Sequence, residues 1–478
     1  MESNRVLEIF KEITTIPRES GHEGPVTEWL CKWAADRNLA CKKDATGNVL
    51  ISRPAAPGKE SVPALVLQAH QDMVCEKNAG VEHDFRKDPI KYVIEGGWMI
   101  AKDTTLGADD GIGIAACLAL LEDPAPTGPI ECLFTISEET GMDGAEALEA
   151  GFFEGRTLIN LDSEDEGQLF IGCAGGLNTN IRFRVNRTSS GTEACVPVEL
   201  RISGGIGGHS GDDINKGRGN AVQLMARFLY SQLSCGIRLV SMDGGGKPNA
   251  IARECVAEIL APEPAKLLRQ FNGFGADIAE EFHVTDPGLQ CEGKALSRGP
   301  RLKPLSVSSA RRIISALYGA PHGVLAMSQD IPGLVQTSTN LASVKTHASK
   351  GGIEVVTSQR SSSTSERRAA AAKVRAVFEA GGASVRHLYE YPGWNPNVNS
   401  HILARTVAAY RKLFNTEPEV KAIHAGLECG LFLQKFPGLD MISFGPTLRG
   451  VHAPGEKMEL ASLDKFVALL DEVVRNFE

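Results

Sequence analysis

Ala64-Leu65-Val66-Leu67-Gln68-Ala69, followed at once by His70-Gln71-Asp72, is the stretch on which the fold turns. It is mostly apolar, of strand length, and lacks the in-out alternation of a half-exposed strand. Strands of this kind are buried on both faces and occur in parallel sheets covered by helices. The pattern returns at residues 130–136, which run into Ser137-Glu138-Glu139, and at 156–161, which end at Asp162. Helical runs fall between and after them, at 112–121 and 145–150. This alternation predicts an α/β fold: a mixed, mostly parallel sheet flanked by helices. Ligands of such sheets bind just beyond the carboxyl ends of the strands. His70, Asp72, Glu138, Glu139 and Asp162 all fall on that edge.

Working outward, residues 3–16 carry Val6, Leu7, Phe10 and Ile13 at helical spacing before Pro17, and a second helix starts near Pro25. A turn at 44–48 leads to a short strand at 49–51, and a proline-rich linker at 54–63 precedes the opening stretch. From about Arg182 the character changes to alternating strands and helices, with a glycine-rich loop at 204–211. A comparable order recurs at 308–380, which suggests two related halves. Near residues 391–396 the chain returns to helix (400–414), strand (440–444), the Gly450-Val451-His452 loop and a closing helix (462–477). The expected organisation is a discontinuous catalytic domain, 1–185 and 391–478, with an inserted two-layer α+β lid domain at 186–390.

A chain of 478 residues is too long for one ordinary core. No apolar run approaches the ~20 residues of a membrane span, and residues 1–18 lack the apolar stretch of an export signal. Eleven cysteines are scattered singly with no Cys-x-x-Cys, as reduced thiols in a cytoplasm would be. A net charge of −9 without a lysine or arginine cluster argues against nucleic acid as the main partner. The expectation is a cytoplasmic protein with neither nucleic-acid nor membrane partners.

The acidic pair Asp109-Asp110 sits in Leu-Gly-Ala-Asp-Asp-Gly-Ile-Gly at 106–113, just ahead of an apolar helix. Alone, such a pair reads as helix capping. With the acids and histidines of the sheet edge, and with His452 near the end, it reads as part of a metal centre. Imidazole and carboxylate donors without cysteine suit a catalytic site holding zinc, manganese or cobalt. Two such ions ~3.5–4 Å apart need a shared ligand, which a carboxylate supplies. The spacing His-x-Asp puts His70 and Asp72 on one side of an extended segment, so Asp72 can fix the ring that binds metal. Of the neighbours Glu138 and Glu139, one can ligate while the other moves protons.

Eight motifs carry a resemblance along nearly the whole chain. They are His70-Gln71-Asp72-Met73-Val74, the stretch 106–113, Ser137-Glu138-Glu139-Thr140-Gly141, Asn160-Leu161-Asp162-Ser163-Glu164, Ile171-Gly172-Cys173-Ala174-Gly175-Gly176, Gly207-Gly208-His209-Ser210-Gly211, His424-Ala425-Gly426-Leu427-Glu428-Cys429-Gly430 and Val451-His452-Ala453-Pro454. The chain resembles the di-metal aminoacylase- and carboxypeptidase-like metallopeptidases, in their aminoacyl-histidine dipeptidase branch. The resemblance implies two divalent ions, foremost Zn2+ with Mn2+ or Co2+ as alternatives. His70 and Asp162 would hold one, Glu139 and His452 the other, and Asp109 would bridge. Glu138 would be general base and acid, Asp72 would orient His70, and the 109–110 peptide would be cis. His209 and Asn249 would stabilise the oxyanion, Arg360 would grip the substrate carboxylate, and Glu428 would join them at the substrate. Ala252 stands where the family usually has proline after Asn249-Ala250-Ile251. The implied activity is hydrolysis of Xaa-His dipeptides such as carnosine by metal-activated water, with a homodimer formed through the lid. A tripeptidase, an N-acyl amino-acid deacylase or a non-catalytic relative are the rival readings.

Overall fold

The computed structural model describes residues 1–347 and 351–478. The chain forms two compact units, one of residues 1–172, 394–422 and 427–478, the other of residues 173–393 and 423–426.

The first unit is built on an eight-stranded sheet. In spatial order its strands are Ala40–Lys43, Val49–Arg53, Ile130–Thr135, Leu65–His70, Thr157–Asn160, Asp440–Ser443, Gln168–Cys173 and Glu419–Ile423. Leu65–His70 lies parallel to both Ile130–Thr135 and Thr157–Asn160, and Asp440–Ser443 continues the parallel set. Val49–Arg53 pairs antiparallel with both Ala40–Lys43 and Ile130–Thr135, and Gln168–Cys173 pairs antiparallel with Asp440–Ser443. Every residue of Leu65–His70 and Ile130–Thr135 is buried, as a strand covered on both faces requires. The helix Ser3–Ile13 buries Val6, Ile9, Phe10 and Ile13, one stripe at 3.6-residue spacing. It packs on the helix Ala108–Glu122, which is itself buried along nearly its whole length. A small antiparallel sheet pairs Tyr92–Glu95, Trp98–Ala101, Lys457–Glu459 and Leu448–Arg449.

The second unit is one antiparallel sheet. Its order is Gln290–Ala295, Val196–Ser203, Cys255–Ala261, Arg238–Gly245, Val335–His347, Gly352–Ser361, Gly175–Arg184 and Ala383–Tyr391, with Gly323–Met327 pairing off the path onto Val335–His347. Read from its centre, the sheet repeats itself outward. On one side a strand (Val196–Ser203), helix (Ala221–Ser231), two strands, helix (Pro264–Glu281) and strand stand in the order fourth, first, third, second. On the other, Gly175–Arg184, Val307–Gly319, Val335–His347, Gly352–Ser361, Thr364–Ala380 and Ala383–Tyr391 stand in the mirror order. The halves suggested by the sequence are therefore topological repeats. The first is inserted between the opening strand and the opening helix of the second.

That insertion moves the domain boundary. The strand Gly175–Arg184 pairs along its length with Gly352–Ser361 and Ala383–Tyr391, so it belongs to the second unit. The division falls between Gly172 and Cys173 rather than at 185/186. The chain leaves one sheet at Cys173 and enters the other two residues later, with no linker composition to mark the change. It also re-enters the second unit at 423–426, a crossing absent from the expected boundaries.

Candidate metal centre

The carboxyl ends of the parallel strands gather the residues singled out from sequence. His70 closes its strand and is fully buried. Its Nε2 lies 2.9 Å from Asp109 Oδ1 and 3.4 Å from Asp162 Oδ1. Asp162 follows Thr157–Asn160 by two residues, and Gln68 pairs with Asn160, so the two strand ends arrive level. His452 stands in the loop between Leu448–Arg449 and Lys457–Glu459, in left-handed backbone at φ 64°. Its Nε2 lies 3.2 Å from Asp109 Oδ2 and 2.9 Å from Glu139 Oε1. Asp109 thus turns one carboxylate oxygen toward each histidine. The expected cis peptide joins Asp109 to Asp110.

Asp72 stands behind this cluster. Its Oδ1 is 3.3 Å from His70 Nδ1 and accepts from the Glu138 N–H at 3.0 Å. Its Oδ2 accepts from the Glu139 N–H at 3.2 Å and the Ser20 hydroxyl at 2.7 Å. One buried carboxylate therefore fixes the His70 ring and the backbone that carries both glutamates. Asp110 Oδ1 caps the helix by accepting from the Gly113 N–H at 3.1 Å. Asp110 still offers an oxygen within 4.8 Å of ligand atoms of His70 and Asp162, just as His70, Asp109 and Glu139 form a second group of that size.

The charges of the cluster shift one another's titration. Burial works against charge on His70, yet Asp162, Asp109 and Asp72 hold its proton well above the usual range. For His452 burial is again opposed, by Asp109 and Glu139, and its pKa is raised to about 11. Burial would raise Asp109, but hydrogen bonds from His452 and His70 keep it well below the carboxylate range. Burial, with neighbouring acids, pushes Glu138 and Asp162 up. A divalent ion bound here would compete with protons for both imidazoles, so its affinity would rise with pH. The donor set, two imidazoles and three carboxylates converging with one carboxylate shared, fits a divalent pair.

A stability consequence has a definite sign. A histidine whose folded pKa is raised adds stability that is complete below its unfolded value near 6.5. That contribution is lost as pH climbs toward the folded value. For His452 the window runs from about 6.5 to about 11. Melting temperatures of the metal-free protein should fall across that interval, and His452→Asn should flatten the slope.

The second unit holds its own polar cluster. Arg360 Nη2 is 3.3 Å from His209 Nε2, while its Nη1 and Nε donate to the Tyr391 hydroxyl at 3.3 Å and the Ser210 hydroxyl at 3.4 Å. Asp212 Oδ2 lies 3.2 Å from His209 Nδ1. Asn249 is exposed, and its carbonyl accepts from the Ser210 N–H at 2.8 Å. His209, Asn249 and Arg360 therefore come together through the loop 207–211.

Glu428 lies deeper than the other residues expected at the substrate. It is fully buried in the first unit, where Oε2 accepts from Gln68 Nε2 and the Thr135 hydroxyl, each at 2.7 Å. Burial pushes its carboxyl up to about 7. A side chain enclosed in this way ties strand ends together. Gln68 continues the row by accepting from Asn160 Nδ2 at 2.5 Å. Sequence reasoning also passed over Arg18, Glu23 and Glu456. Glu23 Oε1 accepts from the N–H and hydroxyl of Ser137, beside Glu138. The only trace of these three in the sequence is polar residues near prolines and glycines, which any loop shows.

The description "Peptidase family M20/M25/M40" matches residues 66–476. The chain belongs to this family. It is 36% identical to the cytosol non-specific dipeptidase of Escherichia coli over 474 residues, 98% of this chain and 96% of that protein. The crystal structure of aminoacylhistidine dipeptidase from Vibrio alginolyticus superposes with a TM-score of 0.90 at 37% identity, covering 99% and 96% of the two chains. An aminopeptidase from Bacillus cereus, 17% identical with a TM-score of 0.64 and covering 99% and 98%, shares the fold. The mixed α/β fold, with its mostly parallel sheet flanked by helices, is that of the family. Among the described residues no helix is long and apolar enough to cross a membrane.

Proposed function

We infer that the chain is a metal-dependent dipeptidase acting on Xaa-His dipeptides, with a small peptide as its substrate and the cytoplasm as its place of work. The observation that carries this reading is Asp109, which presents one oxygen to His70 and the other to His452, with Asp162 beside the first and Glu139 beside the second. The similarity to dipeptidases over almost the whole chain supports the substrate class.

We assign His70 and Asp162 to one ion, Glu139 and His452 to the other, and Asp109 to both. Zinc is the ion proposed. When bound, the pair supplies Lewis acidity to the scissile carbonyl and to water. The chain's own residues do the rest. Glu138 is the neighbour of a ligand, and with the ions bound its carboxylate would accept a proton from the attacking water. It then returns that proton to the leaving amine. Asp72 keeps Glu138 and the His70 ring in place through the bonds described above. In the second unit, the Arg360 fork matches a substrate carboxylate, and His209 and Asn249 are donors suited to an oxyanion.

The test is a substrate panel with zinc-loaded protein: β-alanyl-histidine, glycyl-histidine, a tripeptide ending in histidine and N-acetyl-histidine, with released histidine measured. The expected result is release from the two dipeptides and little from the others. Preference for N-acetyl-histidine would make the chain a deacylase, and no release at all would make it a non-catalytic relative.

A further inference from the structure

Outside the ligand set, Arg18 is a buried charge beside the metal centre. It is 2% exposed, and its guanidinium donates to three backbone carbonyls. Its Nη1 donates to Gln71 O at 3.1 Å and Asp72 O at 2.7 Å, and its Nη2 donates to Gly107 O. Gln71 and Asp72 directly follow His70, while Gly107 stands two residues before Asp109. One guanidinium therefore spans the two backbone segments that present His70 and Asp109.

The surroundings are shaped for that span. The Arg18 carbonyl accepts from the Met73 N–H at 3.1 Å, so the residue grips the 71–73 segment with backbone as well as side chain. Gly111 leaves the guanidinium its space. A Cβ there would come 2.7 Å from Arg18 Nη2 and 2.9 Å from the Phe10 ring. On the other side of the 106–108 turn lies a second buried charge, Glu456, also 2% exposed. Its carboxylate accepts from the N–H groups of Leu106, Gly107 and Ala108 at 2.8, 3.0 and 2.9 Å. The turn that leads into Asp109 is held by an anion on its amides and a cation on one of its carbonyls, with its own peptide groups between the two.

Burying a charge is costly unless its hydrogen bonds are complete, and general packing does not ask for one here. A planar fork can bond two segments at once, whereas an ammonium is a point donor. We propose that Arg18 is a positioning residue that sets the spacing between His70 and Asp109, so that both reach one ion. The proposal rests on the metal-site reading above. It concerns no residue of the reaction itself.

The test measures zinc affinity of the full-length protein by competition with a chromophoric chelator, alongside the metal-free melting temperature. Wild type is compared with Arg18→Lys, Arg18→Met and Gly111→Ala. Lysine keeps the charge and loses the span, and Gly111→Ala displaces the guanidinium without removing it. All three are expected to fold and to bind zinc ~10–100-fold more weakly than wild type, the usual loss for a partner behind metal ligands. Full affinity in Arg18→Lys would mean that charge matters and the span does not. Affinity within twofold of wild type in folded Arg18→Met, with only the melting temperature lowered, would reduce Arg18 to a structural residue. Either result overturns the proposal. Should Arg18→Met not fold, Arg18→Lys and Gly111→Ala decide by the same criterion, and affinity within twofold of wild type in both would overturn it. Failure of wild type to bind zinc would instead refute the metal site and is visible in the same titration.

Discussion

Asp109→Ala is expected to reduce the zinc bound by the purified protein from two ions per chain to at most one, and to lower turnover by roughly 10³-fold or more. Among the described residues Asp109 alone pairs with both histidines, Oδ1 toward His70 at 2.9 Å and Oδ2 toward His452 at 3.2 Å. Removing it takes a ligand from each ion and leaves two cations near one another with nothing shared between them. A catalytic metal supplies several kcal/mol of transition-state stabilisation, and each 1.36 kcal/mol is tenfold in rate. Elemental analysis and a dipeptide assay on the same sample check both parts. Asp110→Ala is the control. Its observed bond caps the helix through the Gly113 N–H, so its loss should cost about 0.5–2 kcal/mol of stability and leave two ions bound. Because Asp110 also lies within reach of His70 and Asp162, equal loss of metal in both variants would undo the division of labour between the two aspartates.

Glu138→Gln is expected to lower kcat by about 10²–10⁴-fold while zinc content and melting temperature stay at wild-type values. The substitution keeps shape and removes only the capacity to hold a proton. His452 contacts Glu139, the neighbour of Glu138 in sequence. The amides of both glutamates remain anchored on Asp72. The separation of activity from metal content is therefore the informative readout. A parallel loss of zinc would make Glu138 a ligand, and unchanged turnover would end its assignment as general base. Asp72→Asn should lie between the two cases, since it weakens the orientation of His70 and of both glutamates without removing a donor.

How much of this was legible in the sequence follows from the physics of each element. The central strands were readable because a strand covered on both faces must be apolar throughout, and 65–70 and 130–135 are nearly so. The site was readable because the chemistry needs particular residue types, and strand ends place them. Each of His70, Asp72, Glu138, Glu139 and Asp162 stands at or within four residues of such an end. The boundary at 172/173 was not readable, because membership of Gly175–Arg184 in one sheet or the other is decided by partners nearly 180 residues away. The helix Pro264–Glu281 was passed over for a related reason. It buries only Leu267, Phe271, Phe274 and Ile278, so its apolar stripe is thin. Arg18 and Glu456 were invisible for another reason. Their partners are backbone groups, which leave no mark in the identity of the residues they hold.

The most direct test of a two-metal dipeptidase is a zinc titration of chelator-stripped protein, with histidine released from β-alanyl-histidine measured at each step. The account predicts no turnover in stripped protein and a rise that levels off at two zinc ions per chain. Full turnover in the stripped protein, or none at any loading, would contradict it.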